Sequence, residues 1–458
     1  MKKHLLLLLF MALIMACKDH PKNLAENKVI NDPITPETAL KSYLHNNDSH
    51  YSWELRDSYQ LGESSVYELL LTSQKWRDFI WTHQLTLLVP SKVDHDGALL
   101  FVTGGSVKDG LPKWSSNKED SKTQNFKKIA EENNAMVAIL KQVPNQPLYD
   151  GLVEDQLISF TLHNYKKDKD LTWPLLFPMV KSAVSAMDAV QEFSKAELER
   201  DINRFIVSGA SKRGWTTWLT GAHDKRVQAI APMVIDVLNM PVSLDYHLVV
   251  WKEYSEQIND YIQLEIPQTV RSEDGNAITQ MVDPYSYKDQ LSMPKLIFIG
   301  TNDEYWPVDA VKNYINDIPG ENYLHYVPNA GHDLGGGTQA FRALSAFWGK
   351  LLNDKPLTQL SYNITSSKES ATLTVSTATE NLHNAYLWSA DSDDRDFRDE
   401  EWTPLKIDIT DPKNIYHLIQ FPEKGYKAFY MDLEYKDLHG DLYTKSTRMY
   451  VADTNEVL

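Results

Sequence analysis

Hydrophobic residues along this chain fall into two main patterns, short continuous apolar runs and stretches with helical spacing. A nearly continuous run of four to six apolar residues is typical of a strand buried on both faces of a parallel sheet. The segments between the runs have helical spacing, so the sequence predicts an α/β fold with a doubly wound, mostly parallel sheet. The runs cover residues 98–102, 135–140, 204–207, 229–234 and 296–299, and the helical segments cover 126–133, 178–194, 212–222 and 339–352.

Alternating patterns flank this α/β region on both sides. Residues 66–90 alternate between apolar and polar positions, which predicts antiparallel strands that lead into the core. From about residue 356 the chain changes to short alternating runs separated by polar turns. This alternating pattern predicts an all-β sandwich over residues 356–458, after an α/β domain over residues 37–355.

The stretch 239–283 is longer than an ordinary connection between two strands. It carries aromatic and aliphatic residues at helical spacing, including Trp251, Tyr254 and Tyr261. We interpret it as a cap inserted beside the functional site. An ordinary pair of helices packed on the sheet is the alternative.

The N-terminus has the pattern of an export signal. Two lysines precede an apolar run that ends at Ala16, and Cys17 follows as the only cysteine of the chain. The ending Ile14-Met15-Ala16-Cys17 resembles the lipobox of bacterial lipoproteins, so we predict a signal peptide over residues 1–16 and lipidation of Cys17. Residues 17–36 are polar and predict a flexible tether. The expected location is periplasmic or cell-surface, anchored in a membrane; simple secretion is the alternative.

Composition narrows the classes of function. The 458 residues include 42% hydrophobic residues, enough for two globular units. The net charge of −17 opposes binding to nucleic acid, whose phosphates require a basic surface. We therefore expect a small-molecule or peptide substrate and no nucleic-acid partner. The sequence gives no indication of oligomeric state.

The segment FIVSGASKRGW places Ser211 between a predicted strand and a predicted helix. Small residues at Gly209 and Ala210 permit the strained backbone that raises a nucleophilic serine above a sheet. The usual Gly-x-Ser-x-Gly pattern has glycine two residues after the serine, but Arg213 occupies that place and Gly214 follows it. The alternative for Ser211 is an ordinary helix N-cap.

A nucleophilic serine needs a base and an acid that orients the base, and the chain offers both in order. Asp303 follows the run 296–299, and His332 follows a further predicted strand at 323–327. The order serine, aspartate, histidine is that of the α/β-hydrolase triad. Glu304 and Asp236 are alternative candidates for the acid, and single turn or cap roles are the alternatives for Asp303 and His332.

Backbone N–H groups must also stabilise the oxyanion of such a reaction. The first residue after the serine, Lys212, is one candidate donor. The second candidate lies in the loop after residues 98–102, where Gly105 and Ser106 follow Thr103-Gly104. A plain turn is the alternative for this loop.

The sequence predicts no cofactor and no metal. The GASKRG segment lacks the residue order of a phosphate-binding P-loop, and no Gly-x-Gly-x-x-Gly is present. The run DSDDRD at 391–396 lacks the glycine and the final carboxylate of a calcium loop, so a solvated loop is expected there.

Several longer stretches resemble the PhoPQ-activated pathogenicity-related proteins of the α/β-hydrolase superfamily. The resemblance implies an α/β-hydrolase fold with an appended β-domain and a triad at Ser211, Asp303 and His332. The family shares the displaced glycine, and its name implies a link to bacterial virulence regulation. The stretches include TALKSYLHNNDSHYSWEL from Thr38, LTSQKWRDFIWTHQL from Leu71, GASKRGWTTWLTGAHDKRVQAIAPMVIDVLN from Gly209, DPYSY from Asp283, GTNDEYWPVDA from Gly300, AGHDL from Ala330 and WSADSDDRDFRDEEW from Trp388.

Together these features predict an exported, lipid-anchored serine hydrolase that cleaves an ester or an amide bond. The alternative from another class is a non-catalytic binding or signalling protein built on a hydrolase scaffold, because fold does not dictate function.

Overall fold

The computed structural model describes residues 33–114 and 120–458. The predicted signal peptide, Cys17 and nearly all of the predicted tether lie outside the described residues. The helices are α1 (Pro36–Leu44), α2 (Ser121–Asn133), α3 (Glu154–Asp168), α4 (Leu176–Glu197), α5 (Lys212–His223), α6 (Met240–Val250), α7 (Asn259–Ile262), α8 (Glu273–Val282) and α9 (Thr338–Leu352).

The strands are more numerous than the apolar runs alone indicated. They are β1 (Ser52–Leu61), β2 (Ser64–Trp76), β3 (Phe79–Val89), β4 (Gly97–Val102), β5 (Val107–Lys108), β6 (Leu111–Pro112), β7 (Met136–Leu140), β8 (Arg204–Ala210), β9 (Val227–Met233), β10 (Lys295–Gly300), β11 (Asn322–Val327), β12 (Leu360–Ser366), β13 (Ser370–Thr377), β14 (Leu382–Ser392), β15 (Thr403–Ile407), β16 (Ile415–Gln420), β17 (Tyr426–Lys436), β18 (Leu442–Ser446) and β19 (Tyr450–Ala452).

The central sheet has the strand order of an α/β hydrolase. Its order is β1-β2-β3-β7-β4-β8-β9-β10-β11, with β1, β2 and β3 antiparallel and the strands from β7 to β11 parallel. Every residue of β4, β7 and β10 is buried, which explains why these strands are continuous apolar runs. The predicted fold class is therefore confirmed.

Helices cover both faces of the sheet and make two hydrophobic cores. Side chains alternate between the cores along each strand, so that Val207 of β8 joins the core with α4 and α5, while Ile206 joins the core with α2 and α9. Trp218 of α5 and Trp348 of α9 are fully buried, one in each core. Full burial of a Val, Leu, Ile, Phe or Met side chain in such a core stabilises the fold by about 1.5–3 kcal/mol.

The C-terminal region is all-β, and one of its two sheets continues the central sheet. Strand β18 pairs with β11 at Leu324 and Ser446, and the order then runs on through β17, β14 and β15. Strands β12, β13 and β16 form a separate sheet, whose Leu373 and Val375 share a core with Met431 of β17. The predicted boundary near residue 355 therefore does not separate two cores, and Thr35–Leu458 forms one compact unit.

The stretch 239–283 lies between β9 and β10 and contains α6, α7 and α8. Its helices are short, and α7 contains no buried residue. Within residues 33–114 and 120–458, none of the helices is both long enough and apolar enough to cross a membrane.

Candidate active site

Ser211 occupies a strained corner between β8 and α5. Its φ of 58° and ψ of −128° are rare for a residue with a side chain, and they turn the chain sharply from strand into helix. The Ser211 N–H donates to the Met233 carbonyl at 2.9 Å, which fixes the corner to the end of β9. A serine that merely capped the helix would accept a hydrogen bond from the first turn, and Ser211 makes no such bond.

The position of the glycine at 214, one residue later than in the usual Gly-x-Ser-x-Gly pattern, has a steric reason. A Cβ added to Gly214 would lie 2.8 Å from the Met233 carbonyl oxygen and 3.0 Å from that of Gly209. A Cβ added to Gly209 would lie 2.8 Å from the Arg213 carbonyl oxygen. The first turn of α5 therefore packs directly on the end of the strand at Gly209 and Gly214, and position 213 tolerates a long side chain.

Asp303 and His332 meet at the ends of β10 and β11. The distance between His332 Nδ1 and Asp303 Oδ2 is 2.9 Å, and Asp303 is 5% exposed. The second carboxylate oxygen of Asp303 accepts the Tyr305 N–H at 2.8 Å. The Tyr305 ring stacks on the imidazole with the ring centroids 4.1 Å apart. The imidazole is thus held on one edge and on one face.

The other nitrogen of this imidazole is available for chemistry. His332 Nε2 is buried and has no hydrogen-bond partner in the structure. His332 and Ser211 both line the same cavity. No hydrogen bond joins Ser211 Oγ to His332 Nε2 in the structure.

The two alternative acids have other contacts. The Glu304 carboxylate accepts the backbone N–H of His332 at 3.0 Å, so it supports the loop and does not contact the ring. Asp236 accepts the Tyr314 hydroxyl at 2.5 Å. Burial, opposed by the hydrogen bond from Tyr314 and assisted by the charge of nearby Asp303, raises the pKa of Asp236 to about 7. Asp303 is therefore the carboxylate that orients the imidazole in this arrangement.

The cavity that contains Ser211 and His332 has a volume of about 60 Å³ and a largely apolar wall. Trp215 of α5 and the neighbouring pair Tyr305 and Trp306 form part of the wall. The stretch 239–283 supplies a further part of the wall, and its assignment as a cap stays a prediction. Its contributing residues are Met240, Leu244, Ile258, Tyr261, Ile266 and Pro267.

Charged side chains at the serine corner form a closed network. Arg213 donates to both carboxylate oxygens of Glu154 at 2.7 Å. Lys212 Nζ lies 2.9 Å from Glu154 and 3.0 Å from Asp155, and the Tyr261 hydroxyl donates to Asp155 at 2.9 Å. Although burial opposes ionisation, hydrogen bonds from Arg213 and the charges of Arg213 and Lys212 lower the pKa of Glu154 to about 2.

The loop after β4 packs on this network but does not line the cavity. A Cβ added to Gly104 would lie 2.7 Å from Arg213 Nη2, and one added to Gly105 would lie 3.0 Å from the Gln142 side chain. Lys212 lines the cavity, whereas Gly105 and Ser106 do not. As the first residue of α5, Lys212 has an N–H group without a partner in the helix. The assignment of Gly105 and Ser106 as oxyanion donors stays a prediction.

Several residues of the site were not predicted from the sequence. Tyr305 and Trp306 follow Asp303 and Glu304 in the GTNDEYWPVDA segment, and this position close to the predicted acid was the available signal. Glu154 and Asp155 lie in a polar stretch with no motif, so only the tertiary structure reveals their contact with Lys212. Among residues 33–114 and 120–458, there is no group of His, Cys, Asp and Glu arranged to hold a metal ion.

Comparison with known proteins identifies relatives along most of the chain. A family model described as PhoPQ-activated pathogenicity-related protein matches residues 40–398. Autocrine proliferation repressor protein A from Dictyostelium discoideum is 29% identical over 451 residues, which cover 91% of this chain and 90% of that protein.

Solved structures with a similar fold include several esterases. Acetyl xylan esterase 1 from Thermoanaerobacterium sp. JW/SL YS485 has a TM-score of 0.48 and 17% identity, covering 69% of this chain and 94% of that chain. An S-formylglutathione hydrolase from Agrobacterium tumefaciens has a TM-score of 0.44 and 11% identity, covering 65% of this chain and 99% of that chain. Identity at this level is not evidence about the substrate.

We expect Gly214→Ala to distort the serine corner, because the new methyl group would overlap the Met233 and Gly209 carbonyls. Overpacking of this kind costs about 1–3 kcal/mol. The thermal unfolding midpoint should fall, and the reaction of Ser211 with a fluorophosphonate should slow at least about tenfold. Gly440→Ala is the control, since nothing lies within 4 Å of its Cβ and it is a turn residue with φ of 91°. It should lower stability slightly and leave the reaction unchanged; equal rates in both variants would contradict the prediction.

Proposed function

The chain belongs to the PhoPQ-activated pathogenicity-related protein family, and from this premise we propose that it is a serine hydrolase that cleaves an ester or an amide bond. The observation that supports the proposal most strongly is the contact of 2.9 Å between His332 and Asp303, with the free Nε2 of His332 in the cavity that Ser211 also lines. The positive φ of Ser211 is a second, independent mark of a nucleophile.

In the proposed mechanism Ser211 Oγ attacks the carbonyl carbon of the substrate while His332 Nε2 takes the hydroxyl proton. Asp303 holds the proton on Nδ1 and stabilises the imidazolium. The Lys212 N–H donates to the oxyanion of the tetrahedral intermediate. His332 then protonates the leaving alcohol or amine, and an acyl group remains on Ser211. In the second half-reaction water attacks the acyl carbon while His332 Nε2 takes its proton. Ser211 Oγ then leaves with the proton from His332, and the carboxylic acid is released.

The polar network beside Ser211 supports this mechanism through geometry and charge. The two cations Lys212 and Arg213 face the two carboxylates Glu154 and Asp155, so the corner has no net charge. The ammonium of Lys212 is therefore occupied, and its backbone N–H is the group available to an oxyanion. The bidentate pair of Arg213 and Glu154 fixes the first turn of α5 relative to α3.

We expect an active-site-directed fluorophosphonate to label the wild-type protein and Ser211→Ala to abolish the labelling. Hydrolysis of any substrate found should fall at least about a thousandfold, as for other triads. Ser208→Ala is a matched control, because Ser208 is a buried serine on β8, the strand before Ser211, and its hydroxyl donates to the Ala231 carbonyl. Absence of labelling in folded wild-type protein would favour the non-catalytic binding or signalling protein.

We also propose that the protein is an exported bacterial lipoprotein, attached to a membrane through lipid on Cys17. The proposal is supported by the Ile14-Met15-Ala16-Cys17 sequence after a short apolar run. Several acyl chains on one residue give stable anchoring. The tether of residues 17–36 would then separate the enzyme from the membrane surface.

Cys17→Ser should prevent lipid attachment. In cells fed an alkyne-tagged fatty acid, the wild-type protein should incorporate the tag and sediment with membranes, whereas the variant should do neither. Asn23→Ala, a change in the tether, is the control and should behave as wild type. An untagged, soluble wild-type protein would indicate simple secretion instead.

A further inference from the structure

The wall of the catalytic cavity indicates what part of a substrate it holds. Apart from Ser211, the titratable groups that line it are His332, the tyrosines and the Lys212–Asp155 pair, and that pair is internally neutralised. Trp215, Leu244 and Ile266 typify the rest of the wall. A charged group placed there would lose its hydration without gaining a partner, which is costly. The cavity therefore suits an uncharged hydrocarbon group.

The position of the cavity favours the acyl part of the substrate over the leaving group. The acyl carbon is bonded to Ser211 in the intermediate, so its chain stays beside the serine through both half-reactions. The leaving alcohol or amine departs after the first half-reaction. An apolar wall at the serine thus stabilises the acyl-enzyme throughout, and a free volume of about 60 Å³ suits a group of a few carbon atoms.

We propose, on the basis of the serine-hydrolase function above, that the substrates are esters of short, uncharged acyl groups. The expected reaction transfers the acyl group from the ester oxygen to Ser211 and then to water, giving an alcohol and a short carboxylic acid. Leu244 of α6 is buried at the cavity and limits the length of the chain.

The test measures kcat/KM for acetyl, butyryl, hexanoyl and decanoyl esters of one alcohol, with succinyl ester and butyryl amide for comparison. We expect a maximum at acetyl or butyryl and a fall of at least about tenfold by decanoyl, with succinyl poorest among the short esters. Leu244→Ala should shift the maximum toward longer chains. Leu248→Ala, an exposed leucine on the same helix, should not. If Leu244→Ala does not fold, Ile258→Val tests the same wall.

A flat profile, or preference for succinyl or for the amide, would overturn the proposed acyl class. A second series would keep the acyl group constant and vary the alcohol. If the alcohol determined the rates in that series, the proposed acyl class would also be overturned. In each of these cases fluorophosphonate labelling of Ser211 would persist, and the serine hydrolase would stand. Loss of that labelling in wild-type protein would instead remove the proposed function itself.

A separate observation concerns the C-terminal region, which contacts both loops that carry Asp303 and His332. Asn302 Nδ2 donates to the carbonyls of Phe397, Arg398 and Glu400 at 3.3, 3.2 and 2.8 Å. These acceptors belong to the segment 393–402 between β14 and β15, which we call the 393–402 loop. Asn302 is the residue directly before Asp303.

The histidine loop is bound to the same segment. Asn329 Nδ2 donates to the Trp402 carbonyl at 2.9 Å, and the Trp402 N–H donates back to Asn329 Oδ1 at 2.7 Å. The two asparagines are also linked, since the Asn329 N–H donates to Thr301 Oγ1, which in turn donates to Asn302 Oδ1, both at 2.8 Å. Trp402 is almost fully buried beside Tyr430 of β17, so the 393–402 loop is packed into the C-terminal region at this residue.

We infer that Asn302 and Asn329 are positioning residues, through which the 393–402 loop holds Asp303 and His332 in register. The all-β region would then be part of the catalytic scaffold of the proposed hydrolase. Small displacements of a catalytic group lower the rate strongly, and a shift of about 1 Å can cost on the order of a hundredfold.

The experiment compares Asn302→Ala and Asn329→Ala with wild type, using the rate of fluorophosphonate labelling and the kcat and KM for the best ester. We expect kcat and the labelling rate to fall about ten- to a hundredfold with KM nearly unchanged, at temperatures well below unfolding. Asn384→Ala is the control, because Asn384 bonds to Glu434 within the C-terminal region and away from the site. Folded variants with wild-type labelling rates and kcat would overturn the inference, whereas an unlabelled wild type would count against the proposed function.

Discussion

Parallel pairing of β8, β9, β10 and β11 is the constraint on which the site depends. In a parallel sheet all strands end at the same edge, so residues that follow different strands come together there. Ser211 follows β8, Asp303 follows β10 and His332 follows the turn after β11. The register between neighbouring strands fixes how far apart these loops begin, and the hydrogen bond between Asp303 and His332 spans the remaining gap.

The parallel sheet and α5 together hold Ser211 in its strained backbone conformation. A residue with a side chain at positive φ of this kind costs about 1–3 kcal/mol. The surrounding structure leaves no relaxed alternative, because Gly209 and Gly214 pack backbone against backbone and the Ser211 N–H is bonded to β9. Trp218 of α5 is fully buried in the core that this helix shares with β8, which holds the helix against the sheet. The close packing at Gly209 and Gly214 thus maintains the strained conformation of Ser211, and that conformation in turn permits the close packing.

The charged network of Glu154, Asp155, Lys212 and Arg213 also combines a favourable and an unfavourable contribution to stability. Buried ion pairs often contribute little net stability, because desolvation offsets their attraction. These ion pairs fix the start of α5 relative to α3, because the guanidinium of Arg213 binds both carboxylate oxygens of Glu154.

At the far edge of the central sheet, β18 pairs with β11. This pairing covers the edge of β11 and brings the C-terminal region next to the loop that carries His332.

The fold class, the strands β4 and β7 to β11 and the order of Ser211, Asp303 and His332 could all be predicted from the sequence, because continuous apolar runs and turn residues are local signals. The sequence did not predict β1, most of whose residues are exposed, or α3, whose buried face is partly polar and therefore lacks a continuous apolar stripe. Tertiary packing brings Asp303, and not Glu304 or Asp236, into hydrogen-bonding distance of the imidazole. It also places Glu154 and Trp402 near the site. These arrangements depend on which distant segments pack together, and no local pattern encodes the distances between them.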